Sequence, residues 1–141
     1  MNVDWSATKE CIIDLDAISG KGKWEELYVK IVNKSGIYRI IPEVPLIANE
    51  ITHDVLYIGE SIELGRRICC HIEPKSGPEK DWFRQILISH FVNTHCLGNI
   101  ILQVLEINGV AKQQLQQLES AELKSYLDSH DGFLPPLNRK K

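Results

Sequence analysis

A chain of 141 residues with 43% apolar and 25% charged side chains has the composition of one globular domain, large enough to bury a core without disulfides or structural metal. No stretch reaches the ~20 apolar residues of a bilayer span, and the opening MNVDWSATKE lacks the basic and apolar regions of a signal peptide. A soluble, cytoplasmic protein without a membrane partner is therefore expected. The formal charge of -3 and pI near 5.9 argue mildly against a general affinity for nucleic acid, which Lys and Arg must supply.

In chain order, Ser6 to about Ile18 sets Ile12, Leu15 and Ile18 at helical spacing behind a Ser6 N-cap. Gly20 and Gly22 interrupt that segment, and Trp24, Leu27, Tyr28 and Ile31 mark one face of a second helix. Residues 1–34 thus read as a helical extension packed on the same domain as residues 35–141. Ser35 to Ile41 and Val55 to Ile58 are rich in Ile, Val and Tyr and predict strands. Their connection, Pro42 to Asp54, exceeds an ordinary hairpin turn and is either a surface insertion or an element that reaches a substrate.

After Gly59, Ser61 can cap a helix to about Ile72, with Leu64, Ile68 and Ile72 as its buried stripe. At 100° per residue Arg67 and His71 fall along the edge of that stripe, whereas Arg66 points nearly the opposite way. Pro74 to Pro78 is a break; Glu79 to Thr94 predicts a helix through Trp82, Ile86 and His90/Phe91; Asn99 to Ile107 predicts a strand. The last helix is expected from Val110 to about Asp128, with Ala111, Leu115, Leu118, Leu123 and Tyr126 on one side. Glu119 and Glu122 share that side, where a carboxylate is costly unless it is paired or holds a cation.

The order α-α-β-β-α-α-β-α predicts an α+β fold: a small, mostly antiparallel three-stranded sheet flanked by helices, with the helical extension at its N-terminus. The four cysteines, Cys11, Cys69, Cys70 and Cys96, show no paired spacing and suit reduced thiols. A zinc site from Cys69, Cys70, His71, His90, His95 and Cys96 lacks a C-x-x-C pair and is disfavoured. Arg66, Arg67, Lys75, Lys80, Arg84 and the run Arg139-Lys140-Lys141 can form a basic face despite the net charge.

Gly36-Ile37-Tyr38 and Tyr57-Ile58-Gly59 are followed by Arg67, eight positions beyond the second triplet, and by His71, four further. Downstream stand Leu118-Glu119 with Leu123, and Pro135-Pro136-Leu137-Asn138. In this order the five features resemble the GIY-YIG nuclease superfamily, over roughly Ser35 to Arg139. The resemblance picks Glu119 as the functional acid. Glu122 stands where an apolar residue is expected, which leaves an exchange of roles open.

What the resemblance implies is a divalent-metal-dependent DNA endonuclease that hydrolyses the phosphodiester with one metal, Mg²⁺ or Mn²⁺, held by Glu119. Arg67 would stabilise the transition-state phosphate, for which a guanidinium fork is well shaped. Tyr38 or Tyr57 would take a proton from water, with the preference on Tyr38, and His71 would accept that proton or hold the tyrosine. Asn138 would orient the site from the far side of the sheet. Arg66, Lys75, Arg84, Arg139 and Lys140 are the expected DNA contacts. Little chain is left for a specificity domain, so selection of the target falls to the N-terminal extension, the Pro42 to Asp54 loop, a homodimer partner or another protein. The alternative is a non-cleaving nucleic-acid-binding or accessory subunit on the same scaffold.

Overall fold

Gly36–Pro42 (β2) is one of two interior strands of the sheet, paired along both edges. In this computed structural model, which describes residues 3–13, 23–48, 50–72 and 100–138, β2 runs antiparallel to Tyr57–Ser61 (β5) on one side and to Ile100–Glu106 (β6) on the other. Lys9–Ile13 (β1) adds to the far side of β6, again antiparallel, giving the order β1-β6-β2-β5. Three helices accompany the sheet among the described residues: Lys23–Ile31 (α1), Leu64–Ile72 (α2) and Lys112–Ser129 (α3).

Strand alternation divides the core into two layers. Tyr38, Ile40, Tyr57, Leu102 and Val104 face one way and pack with Leu27 and Ile31 of α1 and Leu64 and Ile68 of α2. Ile37 and Ile58 face the other way and pack with Leu123 and Tyr126 of α3. The molecule is thus an α+β protein with a mostly antiparallel sheet, as the element order predicts.

Two expectations are corrected. Among the described residues the sheet has four strands, not three, because the helix expected from Ser6 to about Ile18 is not formed over its described part: Lys9–Ile13 is a strand. The segment 1–34 is accordingly a strand followed by a helix over its described residues, rather than two helices. Consecutive β-branched Ile12 and Ile13 suit extended backbone, and pairing with β6 satisfies main-chain groups that a short isolated helix would leave marginal. Ser6 is no helix N-cap; it sits in a 3-10 turn, Trp5–Ala7, where its backbone N–H and its hydroxyl both donate to the Asp4 carboxylate. The long connection after β2 contains a hairpin of its own, Leu46–Ala48 (β3) against Ile51–His53 (β4). The helix expected over Glu79 to Thr94 lies outside the described residues.

Both motif glycines are required by close approach. Tyr38 lies directly opposite Gly59 in the β2–β5 register, and a Cβ on Gly59 would stand 2.6 Å from both Cζ and the hydroxyl of Tyr38. At Gly36 the obstacle is backbone, the Leu105 carbonyl oxygen. Tyr38 is fully buried, so its ring has no free space to vacate. Gly59→Ala is expected to cost about 1–3 kcal/mol, the usual range for overpacking. Urea unfolding measures this, and a variant as stable as the wild type would mean that the ring repacks without penalty.

Candidate active site

Tyr38, Arg67 and Glu119 come from three different elements, β2, α2 and α3, and interact with one another. Burial pushes the Tyr38 phenol well above its ordinary pKa, and the neighbouring Tyr57 and Glu119 add to the rise. The Arg67 guanidinium opposes it, by charge and by a side-chain hydrogen bond to the phenol. Tyr57 lies beside Tyr38 with ring centroids 6.1 Å apart. Arg67 is partly buried while Arg66 is exposed and pairs with Glu63 at 3.5 Å on the solvent side. The helical phase inferred from the Leu64/Ile68/Ile72 stripe therefore separates the two arginines as expected.

Glu119 lies on α3, which packs against β5. Its carboxyl is pushed up to about 7, first by partial burial and then by the Glu60 carboxylate; the Glu60 backbone N–H, Arg67 and Lys112 favour the charged form but do not offset the rise. Glu60 belongs to the same group although the motif pattern does not mark it. It follows Gly59 on β5, its side chain is 10% exposed, and Lys112 at the start of α3 reaches its Oε1 at 3.7 Å. Alternation along β5 places Ile58 and Glu60 on the α3 side of the sheet, which is the one signal in the sequence for its location.

Glu122 bonds to the N-terminal turn. Its Oε1 accepts the Trp5 indole N–H at 2.6 Å, and the Trp5 ring carries the Arg39 guanidinium 4.5 Å from its centroid. Arg39 also donates to Gln103, which donates to Glu10. This network ties the N-terminal turn to the sheet and answers the question of why an acid occupies that helix position: Glu122 has an indole to accept from.

Asn138 bonds to backbone. Its Oδ1 accepts the Ile58 N–H at 2.9 Å and its Nδ2 donates to the Ile58 carbonyl at 3.0 Å. One residue earlier, the Leu137 N–H donates to the Leu56 carbonyl at 2.9 Å. β5 is an edge strand, and the amide of Asn138 substitutes for a missing neighbour between Tyr57 and Gly59. Its amide thereby holds the backbone of β5 at Ile58. Asn138→Ala removes both bonds, and about 1–3 kcal/mol of stability is expected to go with them. Loss of activity at unchanged stability would instead place the amide on substrate.

Of the other expected residues, His71 lies in α2 with its side chain outside the described part, and Lys75, Arg84, Arg139 and Lys140 lie wholly outside it. In the disfavoured zinc set only the Cys69 side chain is described, and it packs against the core around Leu64 and Ile68. Among the described residues no group of three or more His, Cys, Asp or Glu side chains is arranged to hold a metal ion, and no helix is long and apolar enough to cross a membrane. A cluster that sequence reasoning missed closes α3 onto the β4–β5 connection. Buried His53 contacts the Tyr126 hydroxyl at 2.6 Å, His130 stacks on the Tyr126 ring, and His130 Nε2 is 3.3 Å from Asp54. The i,i+4 spacing of Tyr126 and His130 is its only trace in the sequence.

No protein-family model matches the chain, and neither a curated protein nor a solved structure matches it at a significant level.

Proposed function

We propose that this chain is a divalent-cation-dependent DNA endonuclease, a GIY-YIG-like catalytic domain that hydrolyses phosphodiester bonds. The observation that carries the reading is the meeting of a phenol, a guanidinium and a half-buried carboxylate from three elements, Tyr38, Arg67 and Glu119. Phosphodiester hydrolysis needs an activated water, stabilisation of charge on the phosphoryl oxygens and stabilisation of the leaving alkoxide. Arg67 is positioned by Tyr38 and supplies a forked cation for the phosphate.

Glu119 fits a cation on its own chemistry: its charged form is crowded by a second carboxylate, and hard oxygen donors with several retained waters are what Mg²⁺ and Mn²⁺ take. The chemistry contributed with the ion bound is Lewis-acid stabilisation of developing charge. Tyr38 is the proton acceptor in this reading, because its hydroxyl is joined to Arg67 and lies in the field of Glu119. A phenol accepts a proton only as phenolate, and burial keeps that form scarce at neutral pH. Cleavage is therefore expected to climb with pH through the neutral range.

Incubation with supercoiled plasmid, with and without Mg²⁺ or Mn²⁺, beside Arg67→Ala and Glu119→Ala, tests the proposal. Cutting that requires the ion and fails in both folded variants supports it. Retarded migration of DNA with no cutting under either ion would instead identify a non-cleaving binding module.

A further inference from the structure

Among the described residues, Glu60 has a buried oxygen for which the fold provides no hydrogen-bond partner. Its Oε1 faces Lys112 at 3.7 Å, but Oε2 is buried without a hydrogen-bond partner, on a side chain that is 10% exposed. An unpartnered carboxylate oxygen away from water is expensive, and native structures keep such groups where something else satisfies them. The nearest acid makes matters worse: the Glu119 carboxylate lies beside the same strand, faces the Glu60 backbone N–H, and repels the Glu60 charge. Lys112 cannot settle both acids, since it is more than half exposed and engages the other Glu60 oxygen.

Two carboxylates on adjacent elements, one with a free buried oxygen, are an oxygen-donor pair for a hard cation. We propose that Glu60 and Glu119 together form a divalent-cation site, with Glu60 Oε2 as the second protein oxygen. The purpose of the site rests on the nuclease reading; its existence does not. Mg²⁺ and Mn²⁺ complete their shells with water and substrate oxygens around one or two carboxylates, so the site needs no third acid. In a two-carboxylate site the cation also offsets the repulsion between the acids, which a single ligand would leave in place.

The test is direct Mn²⁺ binding, read as the loss of the free aquo-ion signal in electron paramagnetic resonance, on wild type, Glu119→Gln, Glu60→Gln, Glu60→Asp and Lys112→Gln. Circular dichroism melts accompany each. Glu119→Gln should abolish binding. Glu60→Gln should weaken it by about tenfold or more, since even partners outside the coordination shell are worth that much. Glu60→Asp keeps the charge but withdraws the oxygen and should fall between, which keeps the test open if the glutamine variant fails to fold. Lys112→Gln should bind Mn²⁺ as well as wild type or more tightly. Wild-type affinity in Glu60→Gln, or equal losses in Glu60→Gln and Lys112→Gln, would overturn the proposal, the latter by showing that the ion pair alone matters. DNA cleavage separates the two readings: wild-type cutting with no effect of Glu60→Gln on Mn²⁺ leaves the nuclease standing without this site, and weakened Mn²⁺ binding in a protein that never cuts leaves the site without the nuclease.

Discussion

Arg67→Ala is expected to lower phosphodiester cleavage by about 10²–10³-fold or more, the scale for losing one preorganised group that stabilises transition-state charge. The variant also leaves the buried Tyr38 hydroxyl without its guanidinium partner, so a loss of about 1–3 kcal/mol in stability is expected with it. Rates must therefore be compared below the melting temperature of the variant. Arg67→Lys separates the two effects. It keeps the charge, folds close to wild type, and still cuts poorly, because an ammonium cannot span the phenol and two phosphoryl oxygens as a guanidinium fork does. Wild-type cleavage by folded Arg67→Ala would reduce Arg67 to a structural partner of Tyr38.

Glu119→Gln is expected to bring cleavage to background, since it removes the charge that would hold the proposed cation and with it several kcal/mol of charge stabilisation, about 10³-fold or more. The same residue sets a pH signature. Its carboxyl stands at about 7 in the folded protein against an ordinary 4.5, so the folded state prefers the proton more strongly than the unfolded chain does. Its stabilising contribution is full below about 4.5 and is lost as pH rises through about 7. Without divalent ions the melting temperature should therefore fall across that window. With Mg²⁺ or Mn²⁺ the fall should diminish, because ion binding and proton binding compete for the same oxygens. Apparent ion affinity should then rise about tenfold per pH unit up to about 7 and level off above it. Melting curves at several pH values, with and without ion, check both signs. A pH-independent ion effect, or a Glu119→Gln variant that keeps the wild-type profile, would remove Glu119 from the site.

Much of the candidate site is legible in the chain because it depends on helical phase, a local quantity. Arg67 and Arg66 are adjacent in sequence, yet the Leu64/Ile68 stripe distinguishes them, and the folded helix exposes Arg66 and turns Arg67 to Tyr38. The stripe of α3 is equally readable, with Leu115, Leu123 and Tyr126 buried. What is not legible depends on register and on distant partners. No local pattern puts Tyr38 opposite Gly59, or Asn138 beside Ile58. Ile12, Leu15 and Ile18 fit a helical period, while the edge of β6 that recruits Lys9–Ile13 lies elsewhere in the sequence. Glu122 looks like a rival of Glu119 until Trp5 is folded against it. Glu60 is invisible to motif reasoning because its significance lies in an oxygen without a partner, a property that only packing creates.

The clasp of Asn138 on Ile58 bridges 80 positions of sequence. Closing so long a loop is among the last events a folding chain can complete, and on the ribosome it waits until α3 and the Pro135-Pro136 turn have emerged. The outer edge of the strand that carries Tyr57 and Gly59 is therefore unpinned in every shorter nascent chain. Until then the backbone of Ile58, between Tyr57 and Gly59, lacks both bonds that the Asn138 amide makes with it.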